Sequence, residues 1–399
     1  GDAVVAGPPA ATLERPRRVG PAPAPAPVAP ELFRNRFGAE KEAALDRFGG
    51  GVETERAVEA GLAYLAKIQA PDGSWSTGRR ESAKYGDTAV GKSALCLLAF
   101  LGAGRLPGTD APHAEVAEKA VSWLLARQDP GTGHFGDSCA YSHGIAAYAL
   151  AEAYGLTRDA RLEAPLKRAL EWIERNQNRG RDPRSRGGWG YYAPFRPPED
   201  GFSRTSITVW QVMALESAKL AGLPVRDDVG PRAREFLESN YDEENGYFLY
   251  NREPNRLRSS WRTLPASTPG AAFALRLLGV SGDDPRILAA LNYVLERAPT
   301  RYRRASVDAF VRRAEGNTYF WYYGTLACFL AGGETWDAWN AALKPTLLGA
   351  QAADGSFAPI DGYAEHAGDA DRHRAYTTAL CVLSLEVYYR YFTPLLAGR

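Results

Sequence analysis

From Val52 onward the chain alternates between two kinds of apolar pattern. In the first, apolar positions recur at helical spacing with polar residues between them. Over 53–69, Val58, Leu62, Leu65 and Ile68 share one stripe, while Glu55, Glu59 and Lys67 lie elsewhere. The same spacing predicts amphipathic helices over 114–128, 162–177, 228–240, 284–297 and 336–351. Pro112, Pro285, Asp227-Asp228 and Asp283-Asp284 stand near where such helices begin. The second kind is apolar nearly all round: Ala94 to Leu101, Ile145 to Leu150, Thr208 to Leu220, Ala271 to Leu278, Tyr319 to Leu330 and Thr378 to Tyr391. A helix without a polar face must be buried on most sides. Most of these runs end at glycine: Gly102, Gly155, Gly222, Gly279 and Gly332.

A recurring unit leads from the first kind of helix toward the second. Its opening copy sets Gly61, Tyr64, Leu65 and Gln69 ahead of a tight turn and Gly73-Ser74-Trp75. The later copies are Ala120, Trp123, Leu124, Gln128, Gly133-His134-Phe135, then Ala169, Trp172, Ile173, Gln177, an Arg-rich insertion and Gly187-Gly188-Trp189. A fourth has Tyr241 in place of Gln, a fifth has Ala298 and no turn, and a sixth restores Gln351 and Gly355-Ser356-Phe357. Six amphipathic helices alternating with six buried ones suit few architectures. An open superhelix leaves one concave face exposed. Closure gives every apolar helix a neighbour on both sides, so the pattern predicts an all-α fold, an α6/α6 toroid, in one domain.

Composition changes this picture little. The hydrophobic share of 45% supports a large core, and a net charge of +1 gives no argument for nucleic acid. No apolar run approaches the length of a membrane span. Cys96, Cys139, Cys328 and Cys381 lie far apart, three of them in apolar runs where a buried thiol is expected. Residues 1–30 include the alternation Pro21 to Pro27 and read as an extended, disordered arm, 31–50 as one lead-in helix, and 51–399 as the toroid. A spacer implies something on its far side, so an upstream anchor or domain is expected, and with it an extracytoplasmic placement or a cytoplasmic one.

The Gln, turn and Gly-x-aromatic unit resembles the repeat of squalene-hopene cyclases, oxidosqualene cyclases and protein prenyltransferase β subunits, over about residues 52–393. The resemblance implies a toroid whose Gln and aromatic pairs (Gln69/Trp75, Gln128/Phe135, Gln177/Trp189) tie the outer helices, around a cavity that takes isoprenoids. Cyclases of this kind protonate an alkene with an aspartic acid in D-x-D-D-T-A. Here the segment is Lys84-Tyr85-Gly86-Asp87-Thr88-Ala89, so Gly86 replaces the proton donor and only Asp87 survives. Asp87 also reads as a helix cap. Diphosphate ionisation needs D-D-x-x-D, which neither Asp227-Asp228 nor Asp283-Asp284 completes. Prenyltransferases hold zinc through Asp-x-Cys and a distant His. Asp137-Ser138-Cys139 has that spacing, with His143 one turn on, and the alternative is a cap at Asp137 and a histidine bonded within a polar layer. His143 is expected to point to the cavity as a base or ligand donor, if it is functional.

The fullest signal is aromatic. Trp189, Tyr191 and Tyr192 precede one buried helix, which carries Trp210; Trp321, Tyr322 and Tyr323 begin another; Tyr141 and Tyr376 open two more. Such rings line a pocket for an apolar chain, a sugar or a peptide, or fill the core between wide helices. No nucleophile elbow, phosphate loop or H-E-x-x-H is present, so no cofactor is expected. Three readings follow: a binding toroid for an apolar, isoprenoid-like ligand; a divergent terpene cyclase or prenyltransferase using Asp87, Asp137, Cys139 or His143; and a scaffold with a filled centre.

Overall fold

The structure, a computed structural model, describes residues 31–76, 88–136, 139–191, 202–254, 262–370 and 373–390. The predicted arm over 1–30 lies outside them. A lead-in of a 3-10 turn (Glu31–Arg36) and α1 (Gly38–Phe48) replaces the single helix expected. The outer helices are α2 (Val52–Ile68), α4 (Ala114–Ala126), α6 (Ala160–Arg175), α8 (Val229–Ser239), α10 (Pro285–Leu295) and α13 (Gly333–Leu348). The inner ones are α3 (Ala89–Gly102), α5 (Ala140–Thr157), α7 (Thr205–Leu220), α9 (Ser267–Leu277), α12 (Thr318–Ala331) and α15 (Ala375–Leu385). Three short helices, α11 (Val307–Arg313), α14 (Gly362–His366) and α16 (Val387–Arg390), and one two-residue hairpin, β1 (Tyr241–Asp242) with β2 (Tyr247–Phe248), complete the described elements.

Each inner helix packs on the next, and α15 packs on α3, so the ring closes. The outer ring is joined by side chains. Gln69 Nε2 donates both to Gly73 O of its own turn and to Val116 O of the next outer helix, at 2.9 Å each. Gln128 does the same to Gly133 and Pro165, and Gln177 to Gly187 and Val229. Gln351 reaches Gly355 and, at 2.8 Å, Ala57 of α2, which ties the last repeat to the first. The turn glycine is required by proximity: Gly355 has φ +87°, and a Cβ there would lie 2.0 Å from Ala60 O. The aromatic that follows drops between the rings. Trp75 Nε1 bonds Leu65 O on the outer helix, and its backbone N–H bonds Ser93 Oγ on the inner one. Trp189 repeats this with Ile173 O and Thr208 Oγ1.

The end of the ring where the inner helices finish is covered by the lead-in. Arg36, almost fully buried, bonds Leu101 O, Arg390 O and Glu152, and Arg390 bonds Glu152 from the other side at 3.1 Å. Burial by itself raises the Glu152 pKa, but Arg390 and Arg36 outweigh it and bring it to about 2. Beneath this cover a cavity of about 40 Å³ is lined by Phe33, Tyr148, Met213, Phe273 and the ion network.

Candidate functional site

The opposite end, where the inner helices begin, gathers aromatic side chains from several of them. An inner helix presents one stripe to the ring axis. On α12 that stripe is Tyr319, Tyr322 and Tyr323, spaced three and four apart. On α7 it is Trp210 and Met213, and on α5 it is Tyr141 and Tyr148. Trp210 stacks on Tyr322 with centroids 5.9 Å apart and meets Tyr323 edge-on at 5.7 Å. Its indole N–H donates to Tyr319 Oη at 2.8 Å. Tyr141 lies 6.5 Å from Trp210 and 6.2 Å from Tyr319. Tyr363 of α14 lies edge-on to Tyr319 at 5.8 Å. Trp210 and Tyr322 are fully buried, whereas Tyr141 and Tyr363 are only half-buried, so the cluster is deep in the ring and reaches toward solvent at this end. Burial pushes the phenols of Tyr141, Tyr319 and Tyr376 well above the usual range, which keeps each hydroxyl a proton donor.

Two carboxyls border this cluster. Asp361 accepts from Thr318 N, Thr318 Oγ1 and Ala364 N, so it caps α12 and α14 together. Asp369 accepts from Tyr376 N, Thr377 N and Thr377 Oγ1 at the start of α15. Burial raises both pKa values, that of Asp369 to about 6, against the pull of its hydrogen bonds and of Lys92. Lys92, buried in the first turn of α3, is the one charge in an apolar helix and lies just before the apolar run Ala94 to Leu101 that the sequence marks. Asp361 stands at the adjacent N-cap position of α14, but its bonds to Thr318 of α12, like those of Asp369 to Tyr376 and Thr377, are made across the chain and have no local signature.

The sequence-predicted residues divide three ways. Tyr141, Trp210, Tyr322 and Tyr323 come together. Tyr376, on the first turn of α15, lies within electrostatic reach of Tyr141, Tyr363 and both carboxyls. Asp87, Asp137 and Tyr192 lie outside the described residues. The others stand elsewhere. His143 does not face the axis: its Nε2 meets Ala169 O of α6 at 3.1 Å, and its ring packs on Trp172 at 4.2 Å and stacks on His134 at 5.0 Å. Burial and the charge of His134 depress its pKa well below the usual range, so it is a neutral core histidine between the rings. Trp189 fills the inter-ring slot described above. Trp321 sits on the face of α12 opposite Tyr319 and packs on Tyr302 at 5.8 Å. Tyr191 pairs its hydroxyl with that of Tyr250 at 2.7 Å, and Cys139 is a buried thiol, in no disulfide, at the N-cap of α5. Among the described residues no three His, Cys, Asp or Glu side chains are placed to hold a metal.

Neither a protein-family model nor a curated sequence matches the chain. Its backbone is similar to that of the type II terpene cyclase MstE from Scytonema, solved with geranylgeranyl dihydroxybenzoate. The TM-score is 0.58 and the identity 17%, over 89% of this chain and 99% of that one. It is equally similar to the α-1,6-mannanase GH76A of Salegentibacter sp. HEL1_6, solved with α-1,6-mannotriose: TM-score 0.58, identity 10%, over 84% of this chain and 99% of that one. Both likenesses show the α/α toroid fold and no more.

Proposed function

We propose that this toroid binds an apolar, extended ligand, isoprenoid-like in shape, at the end of the ring where the inner helices begin. The observation that carries the reading is the aromatic cluster of Tyr141, Trp210, Tyr319 and Tyr323. Three inner helices supply it at one end, while the lead-in covers the other. Rings with buried hydroxyls offer large apolar area and few polar handles, which suits a hydrocarbon chain better than a sugar. The terpene cyclase structure supports the reading, since its ligand carries a geranylgeranyl chain on the same fold. The mannanase gives less support: its inactive variant replaces two consecutive aspartates, and the two such pairs in this chain stand at the starts of outer helices. Gly86 in the proton donor's place favours binding over cyclisation. Native mass spectrometry with organic extraction tests this. The expected result is an apolar molecule that travels with the protein and is lost in Tyr141→Ala; turnover of squalene or a prenyl diphosphate by the pure protein contradicts the binding-only reading.

A second reading, an enzyme, rests on Asp369. A carboxyl held near 6 beside a buried lysine and the ring cluster is suited to proton transfer near neutral pH. It predicts that chemical change of the bound molecule ceases in Asp369→Asn while the molecule itself is still retained. An unchanged molecule recovered from both proteins removes this reading.

A further inference from the structure

The segment 301–315 departs from the rest of the surface. It carries Arg301, Arg303, Arg304, Arg312 and Arg313 against Asp308 and Glu315, a net charge of +3 in a chain whose total is +1. Its centre is α11, anchored by buried Ala309 and Val311 and capped by Ser306. Tyr302 pins the approach by donating to Ala358 O at 2.6 Å. Between the arginines stands Val307, 63% exposed, one of three large apolar side chains exposed among the described residues; Val52 and Leu288 are the others, both on outer helices.

The arginines do have partners: Arg304 with Glu365, Arg312 with Asp308 at 2.7 Å, Arg313 with Glu315 at 2.7 Å, and Arg303 with Glu315 at 3.9 Å. Every one of these side chains is more than half exposed except that of Glu315. Such pairs are weak and exchange readily for another anion. The segment also borders the site. Phe310 of α11 meets Tyr363 edge-on at 5.2 Å, and Tyr363 meets Tyr319 of the aromatic cluster.

We propose that α11 and its flanking arginines dock the aromatic end of the toroid on an anionic phospholipid surface, with Val307 entering the headgroup layer. An exposed apolar side chain in a segment of net positive charge suits such an interface, and the local charge is complementary to it. No helix among the described residues is long and apolar enough to cross a membrane, so the contact is peripheral. The docking stands on this surface alone; it rests on the proposed ligand reading only for its purpose, which is to bring an apolar ligand from the bilayer to the ring mouth.

Vesicle co-sedimentation tests it, with the whole chain and vesicles of phosphatidylcholine alone or mixed with phosphatidylglycerol. Sedimentation with the mixed vesicles, release in about 0.5 M NaCl and none with phosphatidylcholine are expected. The triple variant Arg301→Glu, Arg304→Glu, Arg312→Glu is expected to bind about tenfold or more weakly. Arg47→Glu on exposed α1 is expected to bind as the parent does. Val307→Trp, which leaves the charge alone, is expected to bind more tightly. Equal binding to both vesicle types, no binding to either, or an unaffected triple variant overturns the proposal; an acidic protein partner would give the second outcome. Tyr141→Ala separates the two claims, since it loses the ligand and keeps the vesicle.

Discussion

Four of the six joints of the outer ring differ from the other two. At α2–α4, α4–α6, α6–α8 and α13–α2 one glutamine amide bonds carbonyls on both sides. At α8–α10 and α10–α13 the place is taken by Tyr241 and Ala298, and single part-buried contacts do the joining: Arg286 with Glu238 at 3.1 Å, and Thr346 with Pro299 O at 3.4 Å. Each glutamine amide makes two bonds, one to its own turn and one across the joint, where the other two joints have a single contact each. The fold therefore survives without two of its stitches, and the repeat that lost both Gln and turn is the one that carries α11 at the ring mouth. Strict repetition closes the ring; departure from it makes the surface that carries the proposed docking segment.

The largest test of this contrast is a glycine. Gly355→Ala forces a Cβ onto Ala60 O at a left-handed backbone position and should cost about 3 kcal/mol or more in urea unfolding. The corresponding Gly246→Ala, at φ +70° with only Ala289 Cβ at 3.8 Å nearby, should cost about 1 kcal/mol. Equal losses erase the distinction. Next in size, Gln177→Leu removes both bonds of a stitch and should cost about 2 kcal/mol. Amide exchange sharpens the same point: the backbone of α10 is expected to exchange faster than that of α4, and the reverse order contradicts the account.

The smallest effect belongs to the covered end. Glu386 is fully buried, and neither oxygen has a hydrogen-bond partner among the described residues. Burial pushes its pKa well above the usual carboxylate range, despite Arg390, Lys41 and Arg36. A folded-state pKa raised in this way gives stability that is present in acid and lost as pH rises above the unfolded value. Glu386→Gln, which imitates the protonated form, should leave stability unchanged near pH 4 and raise it by about 1 kcal/mol near pH 8. A variant that is less stable at both pH values shows that the charge is used.

The ring itself was legible because two helix classes and a six-fold unit admit few closures. Facing was not. An inner helix that is apolar all round has no polar stripe to mark the side turned to the axis, so His143 and Trp321 read like Tyr141 and Tyr323. Trp189 belonged to the Gly-x-aromatic slot, and its likeness to Trp75 and Phe357 marked it as structural. Asp369 stayed hidden because the chain brings it to a helix start six residues on, and Asp361 because it caps α12 as well as the short α14 that follows it.

The central claim is that an apolar ligand sits over the ring cluster at the end where the inner helices begin. Photolabelling with a diazirine-bearing prenyl chain, followed by peptide mapping, tests it most directly. The account predicts label on Tyr141, Tyr363 or Tyr376 that excess unlabelled prenyl chain removes. Label confined to the lead-in and the cavity beneath it, or to the outer helices, contradicts it.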